Sequence, residues 1–509
     1  MKLRVKLLGI TSGGKPIVIL NSEDAEELGI KGMDRVVLKY DKTEVTAIVN
    51  LSSTVVSKGE IGVYEELDHI RLKEGKLIEV EVAKFPKSLQ FIKNKLVGRK
   101  LSYEEMEEIV KDVIKGNLTD IEIASFVVAL HAFGLDLEEA ANLSLAMVNT
   151  GEILELKKKI IAEKHSIGGA VGDKTSLLLV PIVAAAGLTI PKTSSRAITS
   201  ACGTADRAEC LMPVDLSIEE MKRVVEKTNG CIVWGGALHL APADDIFIRI
   251  EHPLEIDPLL FPSIMAKKKA VGATHLVIDI PCGRGTKVKT IGDANLLAKD
   301  FIELGRRLGI KTQCAITYGE QPIGYAIGPA LEAREALEVL AGKNVPDLMD
   351  KVCNLARILF KLVGKRADPL KILKSRKAEK KLREIIGMQG GNERIKAKDI
   401  EVGSYKLDAK AERNGLIFWI NNHALIQVAR AAGSPKDKGA GLLVYKKIGE
   451  KVKRGEKLFT IFAEKGRKLR RAEKVLKELR VFGIGKRNEM LIQEVKEIPA
   501  YKKAFILER

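Results

Sequence analysis

The sequence predicts an α/β protein divided into several domains, and three observations lead to this prediction. Its 509 residues exceed what one hydrophobic core usually organises, which indicates roughly two to four domains. Short strand patterns fill residues 1–84, helical patterns follow, and strands alternate with helices from residue 164 onward. Such alternation is typical of βαβ units, which build a largely parallel sheet.

We predict four regions along the chain. Residues 1–84 form a small N-terminal β-rich barrel domain, and residues 85–163 form a helical subdomain. Residues 164–364 form an α/β domain with a mixed or parallel sheet, and residues 365–509 form a C-terminal α+β domain. No internal repeat or low-complexity segment is evident in the sequence.

The N-terminal region is predicted from its short strands and one capped helix. Asn21 fits the N-cap and Gly29 the C-cap of the same short helix. Short strands of this kind are typical of a small barrel. None of the residues looks catalytic, so the region suits either assembly or closure over a substrate. The predicted strands are Lys2–Leu8, Pro16–Leu20, Arg35–Tyr40, Glu44–Val49 and Glu60–Tyr64.

The following regions show first helical and then alternating patterns. Ser102 and Glu105 form a capping box, which predicts a helix that begins at the next residue, Tyr103. Residues 365–400 are rich in lysine, and a β-rich unit with glycine turns begins at Gly403. The predicted helices are Tyr103–Lys115, Asp120–Phe133 and Leu137–Thr150, and the predicted strands are Thr189–Thr193, Cys231–Trp234, His275–Ile280 and Gln313–Tyr318.

The net charge of +18 allows two interpretations. A strongly basic protein can bind nucleic acid, whereas a lysine-rich, glutamine-poor composition is also typical of proteins from hot environments. The 85 basic residues are spread along the chain, and no basic patch interleaved with aromatic residues occurs. We therefore predict no nucleic-acid partner, although a positive field would attract phosphorylated molecules.

Hydropathy and cysteine usage indicate a cytoplasmic protein. No run of about 18 apolar residues occurs, so neither a membrane span nor a membrane partner is predicted. The start M-K-L-R-V-K-L-L-G-I lacks the apolar core of a signal peptide. The six cysteines form no C-x-x-C motif and no zinc-binding spacing, which is typical of reduced thiols. We expect Cys202 to be partly exposed.

The segment K-H-S-I-G-G-A-V-G-D-K-T-S, residues 164–176, has the composition of an anion-binding loop. Its glycines allow the backbone to approach a ligand, and the predicted helix Asp173–Ala186 would present free N–H groups at its start. Lys164 adds a positive charge and Ser166 adds a hydroxyl donor. An oxyanion, most simply phosphate, suits such a loop.

A second polar loop follows the next predicted strand. Between residues 194 and 204 it carries small hydroxyl donors around one arginine. Either loop alone also fits a glycine-rich turn with solvated side chains. Two such loops at the carboxyl ends of strands favour a ligand site, because ligands of parallel sheets bind there. The donors are Ser194, Ser195, Arg196, Thr199, Ser200 and Thr204.

The second loop also carries a longer motif. Its pattern S-x-R-x-x-x-x-x-x-G-T-x-D-x-x-E resembles the signature of the thymidine/pyrimidine nucleoside phosphorylase family, and the first loop resembles that family's phosphate loop. The similarity extends from about Phe85 to the C terminus. The extra N-terminal domain, the phrase T-I-P-K-T-S-S-R-A-I-T-S and the stretch Trp234–Asp257 resemble the archaeal members that act on AMP. The motif residues are Ser194, Arg196, Gly203, Thr204, Asp206 and Glu209.

The resemblance implies a glycosyltransferase that cleaves AMP with inorganic phosphate, giving adenine and ribose 1,5-bisphosphate. It also implies CMP and UMP as substrates. The alternative is phosphorolysis of thymidine and other pyrimidine nucleosides, and a non-catalytic nucleotide-binding module is a third interpretation. Phosphorolysis needs neither a metal nor a covalent nucleophile, so we expect no cofactor and no metal, and inorganic phosphate is a co-substrate. We also expect a homodimer or larger homo-oligomer.

The family's phosphate contacts fall on residues of both loops. Lys164 would supply charge, and the hydroxyl groups would supply directional donors. His165 is either a positioning or protonating residue or a structural one. The implied phosphate-binding residues are Lys164, Ser166, Ser176 and Ser194, with Thr204 as a further donor.

A nucleoside monophosphate brings a second phosphate and a base, which need contacts of their own. Arg196 would grip the 5′-phosphate with its planar fork, and Lys287 in G-R-G-T-K would complete the grip. Ser263 matches the family's base-contacting serine, and Lys267 follows one helical turn later. The implied AMP-binding residues are Gly168, Gly169, Ser195, Arg196, Ala197, Ile198, Thr199, Ser200, Thr204, Ser263 and Lys287.

Asp257 is the implied catalytic residue. It precedes Pro258, which favours an extended backbone at Asp257. The resemblance implies that its carboxyl donates a proton to the leaving base. A carboxyl keeps its proton most readily when it is buried, so we expect Asp257 to be buried. The other interpretation of Asp257 is an Asx-Pro turn.

Overall fold

The computed structural model describes residues 1–41, 43–197 and 200–485. Its N-terminal part contains strands β1 (Lys2–Leu7), β2 (Ile17–Asn21), β3 (Arg35–Tyr40), β4 (Thr43–Ser52), β5 (Glu60–Val63) and β6 (Leu77–Val82), with helix α1 (Ser22–Leu28) after β2. The strands close into a barrel in the order β1-β5-β2-β4-β3-β6. Alternating apolar residues, such as Leu3 and Val5 of β1, fill its core.

The structure confirms the predicted barrel and its capped helix. The Asn21 side chain accepts a hydrogen bond from the Glu23 N–H, and Gly29 ends the helix with a φ of 70°. Strand β6 was not predicted, although its sequence L-I-E-V-E-V alternates as a half-buried strand should. This strand closes the barrel by pairing with both β1 and β3.

Four helices follow the barrel, and they are α2 (Ser88–Leu96), α3 (Tyr103–Ile114), α4 (Asp120–Phe133) and α5 (Leu137–Asn149). The capping box of Ser102 and Glu105 is present at the start of α3, as predicted. The barrel docks onto the turn between α3 and α4, where the Arg35 Nε donates to the Asn117 carbonyl at 2.6 Å and its guanidinium pairs with Glu122. A further ion pair joins Lys15 to Asp120.

The central region has five parallel strands, β7 (Ala162–Ser166), β8 (Ile190–Ser194), β9 (Gly230–Trp234), β10 (His275–Cys282) and β11 (Lys311–Tyr318). Strands β11, β10 and β7 form one parallel sheet, and β8 and β9 form another. A parallel bridge between Ile161 and Thr189 connects the two sheets. Every residue of β10 is buried, as expected for a central strand covered on both faces.

Helices cover these strands and connect them. The helices are α6 (Thr175–Ala185), α7 (Thr204–Ala208), α8 (Ile218–Thr228), α9 (Pro242–Leu254), α10 (Leu260–Ala270), α11 (Ile291–Arg307), α12 (Pro329–Leu340), α13 (Pro346–Leu362), α14 (Pro369–Lys374) and α15 (Lys377–Met388). A short strand, β12 (Ala326–Ile327), precedes α12. The helical subdomain packs against this region, with the rings of Phe126 and Phe247 centred 6.0 Å apart.

Two of the predicted domain limits cut through packed regions of the structure, and the division into domains stays a prediction. Strand β7 spans residues 163 and 164, so the predicted boundary there falls inside a strand. Leu382 and Ile385 of α15 are buried in the same core as Leu178 of α6. The helical part of residues 365–400 therefore packs into the core of the α/β region.

The C-terminal unit is α+β, as predicted. Its elements are β13 (Tyr405–Lys410), β14 (Gly415–Ile420), α16 (Asn422–Ala432), β15 (Gly441–Val444), β16 (Lys451–Val452), β17 (Lys457–Ala463), α17 (Gly466–Glu478) and β18 (Phe482–Gly485). One antiparallel sheet has the order β12-β15-β17-β13 and a second has the order β16-β14-β18. Because β12 comes from the α/β region, its hydrogen bonds to β15 join the two units.

Two expectations about composition can be compared with the described residues. No helix among them is both long and apolar enough to cross a membrane. All six cysteines are free, and Cys202 is buried, which corrects the expectation of partial exposure. Burial raises the pKa of the Cys202 thiol well above its ordinary value.

Candidate active site

The first polar loop joins β7 to α6, as the sequence predicts. Its three glycines have positive φ values, 88° at Gly168, 90° at Gly169 and 70° at Gly172. A Cβ atom on Gly169 would lie 2.8 Å from the backbone nitrogen of Lys287. Glycine is therefore required there, because the first loop packs directly on the loop that follows β10.

Lys164 lies at the end of β7 and is 2 % exposed. Its Nζ is 3.6 Å from the Asp279 Oδ2 and 3.8 Å from the Asp173 Oδ2. Both distances are longer than a hydrogen bond, so the ammonium keeps its donors available for an anion. Ser166 ends the same strand, and Ser176 lies in the first turn of α6, where helix N–H groups are free.

The second loop begins where β8 ends, on the same edge of the strands as the first. Ser194 ends β8, and its Oγ lies 3.3 Å from the Val233 carbonyl oxygen. The Asp206 carboxylate accepts hydrogen bonds from the backbone of Ala197, at 2.7 Å, and of Gly203, at 2.8 Å. This carboxylate fixes both ends of the loop and holds Thr204 at the start of α7. Ile198 and Thr199 lie outside the described residues.

Arg196 pairs with two carboxylates in the structure. Its two terminal nitrogens contact the Glu209 carboxylate at 2.9 and 2.7 Å, and one of them also contacts Asp215 at 3.2 Å. The guanidinium carbon lies 4.8 Å from the centre of the Trp234 ring. The hydrogen bonds from Arg196 lower the pKa of Glu209 to about 2. Arg196 thus clamps the loop to α7, and its contact with a 5′-phosphate stays a prediction.

The C-terminal unit supports the second loop with contacts that sequence analysis missed. The Ser434 Oγ donates to the Ala201 carbonyl at 2.7 Å, and Lys438 pairs with Glu209. The Arg430 guanidinium donates to the Ser200 carbonyl at 3.2 Å. No local motif identifies these residues, because they lie more than 200 positions beyond the loop that they contact.

Asp257 lies between α9 and α10, and its Oδ2 is 2.6 Å from the Nζ of Lys287. The side chain of Asp257 is 46 % exposed and that of Lys287 is 48 % exposed. The expected burial of Asp257 is therefore wrong for this structure, because its segment is a short surface connection between two helices. The pair does bring the predicted catalytic residue together with a predicted AMP-binding residue.

Glu251 is a carboxyl group that sequence analysis did not select. It is 6 % exposed, and its Oε1 accepts a hydrogen bond from the Leu259 N–H at 3.1 Å. Burial raises the pKa of Glu251 to about 8, and the negative charges of Asp257 and Asp244 add to this effect. Because it bridges the ends of the connection, Glu251 holds the backbone on which Asp257 lies.

We expect Glu251→Gln to stabilise the protein at alkaline pH. The unfolded chain loses this proton near the ordinary value of 4.5, whereas the folded chain keeps it to about 8. The folded state binds more protons between these values, so wild-type stability falls as pH rises through that window. Glutamine has no such proton to lose. The Tm of the variant minus the Tm of wild type should therefore be roughly a few degrees larger at pH 9 than at pH 4.5. Glu255→Gln, in the same connection but exposed, is the control and should show no such trend.

Ser263 and Lys267 both contact Asp244, a fully buried residue of α9. The Ser263 Oγ donates to the Asp244 Oδ2 at 3.0 Å, and Lys267 forms an ion pair with the same oxygen. These contacts orient the predicted base-contacting serine from one side. Sequence analysis did not select Asp244, because its partners Ser263 and Lys267 lie on the next helix along the chain, α10.

His165 lies in β7 next to Lys164. Its Nδ1 is buried and has no hydrogen-bond partner among the described residues. Burial and the charges of Lys268 and Lys192 lower the pKa of His165 well below its ordinary value. The imidazole is therefore neutral at neutral pH, which does not favour a protonating role. Over the described ranges, no group of three or more His, Cys, Asp and Glu residues could hold a metal ion.

Comparison with known proteins gives full-length relatives. The chain is 45 % identical over 515 residues to the AMP phosphorylase of Thermofilum pendens, with all of both chains covered. It is 49 % identical over 475 residues to the AMP phosphorylase of Thermococcus kodakarensis, covering 91 % of this chain and 94 % of the relative. The chain belongs to the AMP phosphorylase family. The resemblance to nucleoside phosphorylases is thereby confirmed.

Three family models match this member of the AMP phosphorylase family in order along the chain. The glycosyl transferase family helical bundle domain matches residues 89–151, and the glycosyl transferase family a/b domain matches residues 158–386. The pyrimidine nucleoside phosphorylase C-terminal domain matches residues 419–482. Anthranilate phosphoribosyltransferase from Thermus thermophilus shares the fold, with a TM-score of 0.51 at 19 % identity over 58 % of this chain and 98 % of that chain.

Proposed function

We propose that this chain catalyses the phosphorolysis of AMP to adenine and ribose 1,5-bisphosphate. The observation that carries the proposal is the meeting of two loops at one edge of the parallel strands, one with Lys164 and one from Ser194 to Thr204, in a chain whose relatives are named AMP phosphorylases along their whole length. Two phosphate groups need two sets of donors, and these loops supply both. CMP and UMP are proposed as further substrates.

In this proposal inorganic phosphate is the nucleophile and binds to the first set of donors. Lys164 supplies the charge, and Ser166, Ser176 and Ser194 supply hydroxyl groups. A phosphate oxygen attacks C1′ of the ribose while the bond from C1′ to the base breaks, so the bonding electrons leave with the base. Holding the nucleophile in position lowers the barrier, because translational freedom is lost before the reaction.

The nucleotide binds to the second set of donors. The 5′-phosphate would contact hydroxyl groups of the loop that Arg196 anchors, and the Lys287 ammonium would add charge. The base would contact Ser263, which Asp244 orients. The proposed nucleotide contacts are Gly168, Gly169, Ser195, Arg196, Ala197, Ile198, Thr199, Ser200, Thr204, Ser263 and Lys287.

Asp257 is proposed to donate a proton to the leaving base. Its Oδ2 lies 2.6 Å from the Lys287 Nζ. When Lys287 turns to the 5′-phosphate of a bound nucleotide, the Asp257 carboxyl is released to face the leaving base. No cofactor is proposed, and inorganic phosphate remains a co-substrate.

A homodimer or larger assembly is proposed through the outer face of α2 and α4. Val97, Ile121 and Phe133 are exposed large apolar side chains in this part of the chain. The Phe133 ring lies against Gly98, so the two segments form one surface. An exposed apolar surface of this kind typically marks an interface with another chain.

The function is tested by incubating the full chain with phosphate and either AMP, adenosine or thymidine, and by measuring free base and sugar phosphate. We expect adenine and ribose 1,5-bisphosphate from AMP, and much slower release from both nucleosides, which lack the 5′-phosphate. Preferred cleavage of thymidine would instead support a pyrimidine nucleoside phosphorylase. Binding of AMP without any base release would support a non-catalytic module.

A further inference from the structure

Behind Lys164 lies a buried group of four charges that we call the Lys351 cluster: Lys164, Asp173, Asp279 and Lys351. The Lys351 Nζ is 2.9 Å from the Asp279 Oδ2 and 4.0 Å from the Asp173 Oδ2. The same two oxygens lie 3.6 and 3.8 Å from the Lys164 Nζ. Two ammonium groups therefore share two carboxylates, and Lys351 is the nearer partner of Asp279.

Tertiary packing alone assembles this cluster. Lys351 lies on α13, 187 residues after Lys164, and is 8 % exposed. Asp279 is fully buried in the central strand β10, where the Thr317 hydroxyl donates to its other oxygen at 2.6 Å. Asp173 belongs to the first loop itself. Although burial opposes it, the pKa of Lys351 is raised by Asp173 and Asp279, so Lys351 is charged at neutral pH.

The balance of charge decides what Lys164 can bind. Two carboxylates around Lys164 alone would leave one net negative charge beside the first loop, and this charge would repel an anion. Lys351 restores the balance to zero. Lys351 lies closer to Asp279 than Lys164 does, and both carboxylates stay beyond hydrogen-bond distance of the Lys164 Nζ, so its ammonium is not committed to either of them and can turn to a ligand.

We propose that Lys351 is a positioning residue of the phosphate site: it neutralises Asp279 so that Lys164 can bind inorganic phosphate. The inference rests on the proposed function only in its choice of anion. Lys351 acts through Asp279 and need not touch the substrate. A purely structural ion pair is the competing interpretation, and it predicts lower stability without a selective effect on phosphate.

The first test is Lys351→Met, with kinetics in which phosphate and AMP are varied separately. We expect the KM for phosphate to rise about tenfold, the size expected when one charge-assisted contact is lost, with little change in the KM for AMP. The matched control is Lys95→Met, because Lys95 forms an equally buried pair with Glu139 at 2.7 Å in the helical subdomain. The control should lose stability without a selective change in the KM for phosphate.

A charge cycle distinguishes neutralisation from packing. Asp279→Asn removes the negative charge while its amide oxygen can still accept from Thr317, so the KM for phosphate should fall or stay constant. In the double variant with Lys351→Met and Asp279→Asn, the KM for phosphate should return to within about threefold of wild type. A rise in Asp279→Asn, or no recovery in the double variant, would overturn the inference.

A binding measurement separates this inference from the proposed reaction. Calorimetric titration with inorganic phosphate needs no turnover. If wild type binds phosphate but releases no adenine, the proposed function fails, and weaker phosphate binding by Lys351→Met would still support the positioning role. If the affinity of Lys351→Met for phosphate equals that of wild type while its Tm falls, the residue is only structural. If Lys351→Met does not fold, Asp279→Asn and the double variant decide alone.

Discussion

Asp257→Asn is expected to lower kcat on AMP by about 10²–10⁴-fold, the usual contribution of a general acid. Asparagine keeps the shape of the side chain but has no acidic proton for the leaving base. The KM for AMP should change little, because the side chain acts on the transition state rather than on binding. UMP should lose less than AMP if uracil depends less on protonation as it leaves. Steady-state kinetics on both nucleotides measure the difference.

The pH dependence of kcat on AMP is a second test of the same prediction. A general acid gives the pH profile of kcat a descending alkaline limb, and Asp257→Asn should lack that limb if Asp257 is the acid. Asp408→Asn is a matched control, since Asp408 is also paired with a lysine at 2.6 Å but lies in the C-terminal unit. Near-full activity of Asp257→Asn on AMP would rule out the proton-donor role.

Lys164→Ala is expected to raise the KM for phosphate by on the order of tenfold to a hundredfold. The loss of a charged hydrogen-bond partner typically costs about 1.5–3 kcal/mol. The variant also removes one of the two lysines that pair with Asp173 and Asp279, so the phosphate site becomes more negative. The KM for AMP should change much less. An unchanged KM for phosphate would remove Lys164 from the proposed phosphate site.

Stability must be measured for the same variant, because Lys164 is buried among charges. A fall in Tm is expected, since removing one partner leaves carboxylates less compensated. The kinetic effect is attributed to phosphate binding only if the folded variant keeps its KM for AMP. Calorimetric titration with inorganic phosphate checks this directly, and it should show the same loss of affinity as the kinetics.

The sequence by itself determined those features that depend on neighbouring residues. The capping box at Ser102 and the helix between Asn21 and Gly29 follow from contacts within a few positions along the chain. The glycines of the first loop and the hydroxyl groups of the second are visible as local composition, although packing against distant residues decides how the two loops are held. The resemblance to a known family then supplied roles for these residues.

Only the tertiary structure decided which charged groups meet. It gave Arg196 a carboxylate partner, left Asp257 exposed beside Lys287, buried Glu251 and brought Lys351 to the phosphate loop. Burial and pairing depend on how distant strands and helices pack, and a local pattern carries no information about such distances. Electrostatic interactions are strongest where water is excluded, and tertiary packing decides which groups are buried. The sequence alone therefore could not identify the charged groups that set the electrostatics of the site.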